Sequence, residues 1–230
     1  MSNFKLFNEN CISVLSSIEE ESIDLVVCDP PYKTTPRGNT VCGGFLNEVN
    51  GLNGNGGFTE NRLNIDEYLP LLYKVMKDGT HGYLMTNDKN LVDFHLSLQQ
   101  SNFHVIKTLI WYKNNAIFNQ FYMNCHEYIV FFRKGMAKPI KNIGTKGILE
   151  FCNPKNKIHP SQKPINLLKV LIENSSNKGD TVLDFTMGSG STGIACKELD
   201  RKFIGIEIDK KFFDIASKRI IDHEYTLSLF

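Results

Sequence analysis

Asp184-Phe185-Thr186-Met187-Gly188-Ser189-Gly190-Ser191-Thr192-Gly193 is the stretch that decides the fold. Its last six residues match G-x-G-x-x-G. They follow an apolar strand, Thr181–Phe185, and open a helical stretch over 191–200, with Glu207 closing the next strand, 203–207. Glycines at such a turn let a ligand approach the backbone, and an acid about 20 residues further on accepts hydrogen bonds from ribose hydroxyls. The loop lacks the Lys-Ser/Thr pair that ends a triphosphate-binding loop. A nicotinamide oxidoreductase is one reading, but that fold needs several more βα units after its fingerprint, and only thirty-seven residues follow Gly193. The remaining strands must then come from earlier in the chain. The nucleoside-binding half is C-terminal, and the order is a circular permutation of a common α/β design.

Outward from the loop, the pattern alternates strand and helix. Residues 209–222 and 164–177 are helical, the second with Pro164 in its first turn and Ile165, Leu168 and Ile172 on one side. Ile23-Asp24-Leu25-Val26-Val27-Cys28 is a nearly continuous apolar run, as in a strand covered on both faces. Residues 66–78 place Tyr68, Leu72, Val75 and Met76 on one helical face, with Asp78-Gly79 as the stop. Strands follow at 82–86, 103–112 and 126–132, with a helix near 88–100. The last two strands have no helix between them, which predicts one antiparallel pair in a mostly parallel sheet with helices on both faces.

Two hundred and thirty residues suit a single domain, 1–230, with a full core. With 41% apolar and 22% charged residues the chain is neither disordered nor fibrous. No apolar run reaches the roughly 18–20 residues that span a bilayer, and the N-terminal residues lack signal-peptide character, so a cytoplasmic protein without a membrane partner is expected. The six cysteines, at 11, 28, 42, 125, 152 and 196, have no metal-ligand spacing and read as reduced, with Cys28 and Cys196 in the core. The formal charge is only +1, so any polyanion surface must be local. Residues 133–163 carry such a surface: Arg133, Lys134, Lys138, Lys141, Lys146, Lys155, Lys157 and Lys163 face the single acid Glu150. A solvated connector is the alternative reading of that segment. Residues 33–64 read as a mobile loop, since glycine and asparagine fill thirteen of the twenty-five positions from 37 to 61.

The run 23–28 ends at Asp29-Pro30-Pro31-Tyr32. Two prolines fix φ and hold the Pro30 carbonyl beside a carboxylate, giving two acceptors for an exocyclic amine with two N–H bonds. Accepting both bonds leaves the amine lone pair aimed outward, ready to attack an electrophile. Tyr32 offers a face for a planar base, a contact worth about 1–3 kcal/mol. Alone, Asp-Pro-Pro is a rigid strand-ending turn. Beside a nucleoside-type glycine loop it reads as chemistry, and Asp29, Asp184 and Glu207 then share one crevice at the carboxyl ends of their strands.

Together these residues resemble the β-class S-adenosylmethionine-dependent DNA amino methyltransferases, which modify adenine N6 or cytosine N4. Leu25–Tyr32 resembles the catalytic motif of that family, Asp184–Thr192 its cofactor loop, and His159-Pro160-Ser161-Gln162-Lys163-Pro164 the HPxQKP segment before that loop. The motif order is that of the β-class. The resemblance implies a circularly permuted, Rossmann-like class I methyltransferase fold. It places Asp29, Pro30, Pro31 and Tyr32 at the target base, and Phe185 with the backbone of Gly188, Ser189, Gly190, Ser191 and Thr192 around the methionine part of the cofactor. Glu207 takes the ribose hydroxyls, while Ser161, Gln162 and Lys163 lie near the cofactor carboxylate, where an ordered helix-entry turn is the competing reading. Trp111 and Lys113 are further candidates for the base pocket. The chain departs from the family at Asn10-Cys11, where an Asp usually accepts from the cofactor's adenine amine, and at Phe185-Thr186, where a Pro usually follows the Asp. An amide oxygen still accepts that bond.

The implied reaction is in-line methyl transfer to the N6 amine of a flipped adenine in double-stranded DNA, with no metal and no covalent enzyme intermediate. Asp-Pro-Pro-Tyr, rather than a Ser-Pro-Pro start, resembles the adenine members. A cytosine-N4 enzyme, an RNA adenine methyltransferase and a non-catalytic nucleoside sensor are the alternatives beside the oxidoreductase. The basic segment 133–163 sits where the family places target recognition, and a homodimer is left open.

Overall fold

The computed structural model describes residues 3–31, 63–117, 122–155, 157–159 and 162–223. Eight strands and six helices occupy them. In chain order these are β1 (Phe4–Phe7), α1 (Cys11–Ser17), β2 (Ile23–Cys28), α2 (Ile65–Val75), β3 (Met76–Thr86), α3 (Leu91–Gln100) and β4 (His104–Ile117). Then follow β5 (Asn124–Arg133), β6 (Ile148–Glu150), α4 (Ile165–Ser175), β7 (Thr181–Asp184), α5 (Ser191–Glu198), β8 (Lys202–Ile206) and α6 (Lys210–Asp222).

One sheet contains all eight strands, in the order β1-β8-β7-β2-β3-β5-β4-β6. The strand leading into the glycine loop, β7, lies in the middle, parallel to β8 on one side and to β2 on the other. β1, β2 and β3, which neighbour this C-terminal pair or extend the sheet beyond it, come from the N-terminal half, which is the permuted order. The hairpin β4–β5 is antiparallel, as two strands without an intervening helix require. β5 also inserts against β3 in antiparallel sense, so among the described residues it is the one reversed strand and forms two antiparallel ladders.

Alternation along the strands builds two cores. Val26, Cys28, Leu183, Ile204, Val130 and Phe132 face α1, α2 and α3. Leu25, Val27, Val182, Phe203, Ile129 and Phe131 face α4, α5 and α6. Asp24, the polar residue of β2, accepts from Lys77 Nζ at 2.6 Å and from Thr181 N at 2.9 Å, which pins β3 and β7 to β2. Among the described residues no helix is long and apolar enough to cross a membrane.

One boundary differs from expectation. Asp78-Gly79 does not end a helix. α2 stops at Val75, and Met76, expected on its apolar face, pairs with Ile23 as the first residue of β3. The polar run that follows is a bulge, in which Gly79 adopts φ +76° and donates from its N to Lys134 O at 3.0 Å. β1, α1 and β6 are further elements that periodicity did not reveal. Of the loop expected over 33–64, residues 33–62 lie outside the described residues. Asn64 caps α2 by accepting from Asp66 N at 3.2 Å.

Candidate active site

The carboxyl ends of β8, β7 and β2 are neighbours, so Glu207, Asp184 and Asp29 do share one edge of the sheet. Thr186 ties two of these ends together. Its Oγ1 donates to Asp29 O at 3.2 Å, and its N donates to Asp184 Oδ1 at 3.2 Å. Pro30 is buried and Pro31 exposed, so the turn points from the core outward immediately after Asp29. Tyr32 lies outside the described residues.

Asp29 sits within an alternating string of charges. Its Oδ2 accepts from Lys163 Nζ. Lys163 Nζ also lies 3.4 Å from Glu127 Oε2, and Glu127 Oε1 accepts from Lys113 Nζ. The four side chains are 9–20% exposed. Burial pushes the Asp29 carboxyl above its ordinary range, and the Lys163 ammonium pulls it back. Burial alone would also raise Glu127, but Lys163 and Lys113 together hold it low. For Lys163 burial opposes the charge, and the two carboxylates more than restore it. Among the described residues, two oxygens of the string are buried without a hydrogen-bond partner: Glu127 Oε2, which faces Lys163 only as an ion pair, and Asp29 Oδ1, which faces no cation within ion-pair distance. A buried orphan acceptor is costly unless a ligand group completes it.

Lys163, expected near the cofactor carboxylate, is ion-paired to Asp29, because the turn before α4 delivers it to the Leu25–Val27 face of the sheet. Trp111 is 1% exposed, so its ring is not open to a base. It lies instead beneath Lys113 and Lys163, whose Nζ atoms are 4.8 and 6.0 Å from its centroid, and its Nε1 donates to Phe151 O at 2.8 Å. Gln162 closes its own turn by accepting from Ile158 N at 3.0 Å, which is the competing reading of that segment. Ser161 lies outside the described residues.

The glycine loop has the shape a small ligand needs. Gly188 and Gly190 adopt φ +51° and +75°, which disfavours any side chain. At Gly193 a Cβ would lie 2.5 Å from Ile220 Cδ1 and 2.9 Å from Phe203 Cε1, so this glycine serves helix packing. α5 starts without a side-chain cap, leaving its amide end open beside the loop. Ser189, Ser191 and Thr192 are buried, with Ser189 Oγ and Ser191 Oγ 3.2 Å apart. Thr192 Oγ1 donates to Asp184 Oδ2 at 2.6 Å, and burial pushes Asp184 up to about 6. Phe185 was expected at the methionine moiety, but its side chain is fully buried, 4.9 Å from the Tyr68 ring, so only its backbone is left for a ligand.

Glu207 lies against this loop, accepting from Gly188 N at 3.0 Å and Asp209 N at 2.9 Å. Burial raises its carboxyl. Asn8 Nδ2 donates to the carbonyls of Glu207 and Ile208, which brings the β1–α1 turn alongside. Asn10 there caps α1, its Oδ1 accepting from Ile12 N at 2.8 Å, and the oxygen retains a second lone pair for an incoming amine. The Cys11 thiol points into the core and is pushed up to about 11 by burial, so any contact it makes with a ligand is through its backbone. His159 stands 3.5 Å from where a Cβ on Gly188 would be, edge-on to Phe212 at 4.2 Å. Burial and then Lys163 lower it to about 4, keeping it neutral. A side-chain-free turn, an acid at the next strand end, an uncapped helix start and an amide acceptor together fit a nucleoside-bearing cofactor with a carboxylate tail. Among the described residues no cluster of His, Cys, Asp or Glu is placed to hold a metal ion.

Glu127 was missed from sequence. The strand parity of His126–Phe132 carries its signal, because Glu127 shares a face with the buried Ile129 and Phe131 and is therefore an inward carboxylate that needs a cation.

Comparison with known proteins agrees with this geometry. The family model for N6/N4 DNA methylases matches residues 23–218. The type II methyltransferase M2.MboI of Moraxella bovis is 29% identical over 97% of this chain and 89% of its own length. M.HpaI of Haemophilus parainfluenzae is 29% identical over 96% of this chain and 75% of its own. Among solved structures, the M1.HpyAVI–SAM complex superposes with a TM-score of 0.72 at 23% identity, covering 94% of this chain and 99% of that one. The cytosine-N4-specific PvuII DNA methyltransferase gives 0.75 at 16% identity, covering 99% and 89%. With 196 of its 230 residues inside the family model and the three acid-bearing strand ends gathered on one edge, the chain belongs to the N6/N4 DNA methylases.

Proposed function

We propose that this methylase transfers the methyl group of S-adenosylmethionine to the N6 amine of an adenine turned out of duplex DNA. The observation that carries the reading is the buried, unpartnered Asp29 Oδ1 beside the rigid Pro30. An exocyclic amine placed there donates one N–H to Oδ1, and the Pro30 carbonyl accepts the other. The cofactor, when bound, supplies an electrophilic methyl on a sulfonium. Asp29 would orient the amine lone pair toward that carbon and, as the N–C bond forms and the methyl–sulfur bond breaks to leave a neutral thioether, would take up the proton the nitrogen sheds. Glu207, the Asn10 amide and the loop 188–192 are the residues that would hold the cofactor, which would supply the methyl group. Asp rather than Ser at the start of the Pro-Pro turn supports adenine over cytosine. Turning the base out is required because its amine is otherwise paired.

Incubation with labelled S-adenosylmethionine and duplex DNA, followed by nucleoside analysis, is expected to yield N6-methyladenine. N4-methylcytosine would move the target to cytosine, and methylated RNA alone would move it to that polymer. Asp29→Ala is expected to abolish transfer while leaving cofactor binding by calorimetry within a few-fold of the parent. Full activity of that variant would remove Asp29 from the chemistry.

A further inference from the structure

Asp29 is one end of a string that runs Asp29, Lys163, Glu127, Lys113 across three separate parts of the fold: the end of β2, the turn before α4, and the β4–β5 hairpin. The two carboxylates and two ammonium groups cancel in charge. The members are not equivalent. Lys163 is shared, on one side by Asp29 Oδ2 and on the other, at 3.4 Å, by Glu127 Oε2. Glu127 is itself anchored through Oε1 to Lys113, which rests over the Trp111 ring. The outcome is that one oxygen of Asp29, Oδ2, is occupied by Lys163 and the other, Oδ1, is left without a partner.

We propose that Lys163 and Glu127 are positioning residues for methyl transfer, Lys163 by holding Asp29 ionised with Oδ1 presented, and Glu127 by fixing where Lys163 stands. This rests on the reading of Asp29 as the group that binds the target amine. A carboxyl buried in this way with no cation takes a proton, and its free oxygen then ceases to be a strong acceptor. A cation placed by a flexible stem alone would wander between the two oxygens. Glu127 removes that freedom by drawing Lys163 to the Oδ2 side, while its negative charge partly opposes the help Lys163 gives to the ionised Asp29. The remaining titratable neighbours are Lys113 on β4, Asp184 at the end of β7 and the Cys28 thiol of β2. Beyond Lys163 stand Lys157 and His159, both shifted toward their neutral forms.

The two roles have opposite signatures in the acid limb of the rate against pH. Lys163→Met should move the limb to higher pH by about one unit or more and lower kcat at pH 7 by roughly 100-fold, with Lys163→Arg restoring much of both. Glu127→Gln should move the limb to lower pH, because a repelling charge is gone, while kcat at the plateau falls about tenfold as Lys163 loses its anchor. The experiment measures kcat from pH 5 to 9 for the parent and the three variants on duplex DNA, with cofactor affinity by calorimetry and the folded fraction by circular dichroism. If the parent methylates no DNA, the functional reading itself fails. If the parent is active and the acid limbs of Lys163→Met and Glu127→Gln coincide with it after correction for folded fraction, the string is structural only and the inference is overturned. Where Lys163→Met does not fold, Glu127→Gln alone decides: a limb moved to lower pH supports the inference and an unmoved limb overturns it.

Discussion

Asp184 is the clearest case of a single side chain whose ionisation is held against its preference. Its carboxyl accepts from Thr192 Oγ1 and Thr186 N, yet burial outweighs both and pushes it from 3.8 up to about 6. The sign follows from proton counts. Between about pH 4 and 6 the folded chain keeps a proton that the unfolded chain has released, so stability falls as pH rises through that window and stays lowered above it. At about 1.4 kcal/mol per unit the cost is roughly 3 kcal/mol. Asp184→Asn keeps an acceptor and, with the Thr192 hydroxyl free to turn, satisfies the same partners. Its melting temperature relative to the parent should therefore rise as pH goes from 4 to 8. A difference between the two proteins that is flat across that range would show that Asp184 ionises freely. The Asp29 and Glu207 carboxyls are raised in the same direction, so the parent's own profile contains all three, and only the difference isolates Asp184.

At the scale of elements, the third glycine of the loop decides how closely α5 lies on α6 and β8. Gly193→Ala would place a methyl 2.5 Å from Ile220 Cδ1, an overpacking that costs about 1–3 kcal/mol in stability by chemical denaturation. Ile220→Val removes that very atom and should recover part of the loss in the double variant. Simple additivity of the two substitutions would show that they do not meet. The glycine loop, β2 and the helices of the C-terminal half were legible in the sequence because a sheet covered on both faces demands long apolar runs and sharp stops. β6 was not, since its three residues alternate exposed, buried, exposed over too short a span to show a period. The start of β3 was hidden for a different reason. Met76 continues the apolar face of α2, and Lys77–Thr80 is polar because a bulge and the pairing with Lys134, rather than core packing, hold it in place. Asp29 and Glu207 could be read from their positions at strand ends, whereas the Lys163–Glu127 link depends on how a loop before α4 meets a hairpin, which no local pattern encodes.

For the molecule as a whole, the basic stretch 133–163 is less free than its composition suggests. Lys134 is buried, donating to Met76 O at 2.7 Å, Lys141 donates to Ser176 O at 2.6 Å, and Lys163 belongs to the site. Lys138, Lys146 and Lys155 remain exposed and are the cations expected to meet phosphates. Replacing these three by alanine should flatten the dependence of log affinity on log salt by about 0.9 for each phosphate that loses its lysine, read by fluorescence anisotropy on duplex DNA at several ionic strengths. An unchanged slope would place the DNA on another face. The permuted strand order also has a consequence for biosynthesis. β7 and β8 lie between β1 and β2 in the sheet, yet they are translated after every other strand among the described residues. Until they emerge from the ribosome, β1 has no partner and one side of β2 is an open, apolar edge of the sort that pairs with neighbouring chains. The middle of the sheet thus closes late, and a nascent chain stalled before residue 181 would present the strand that carries Asp29 as its stickiest surface.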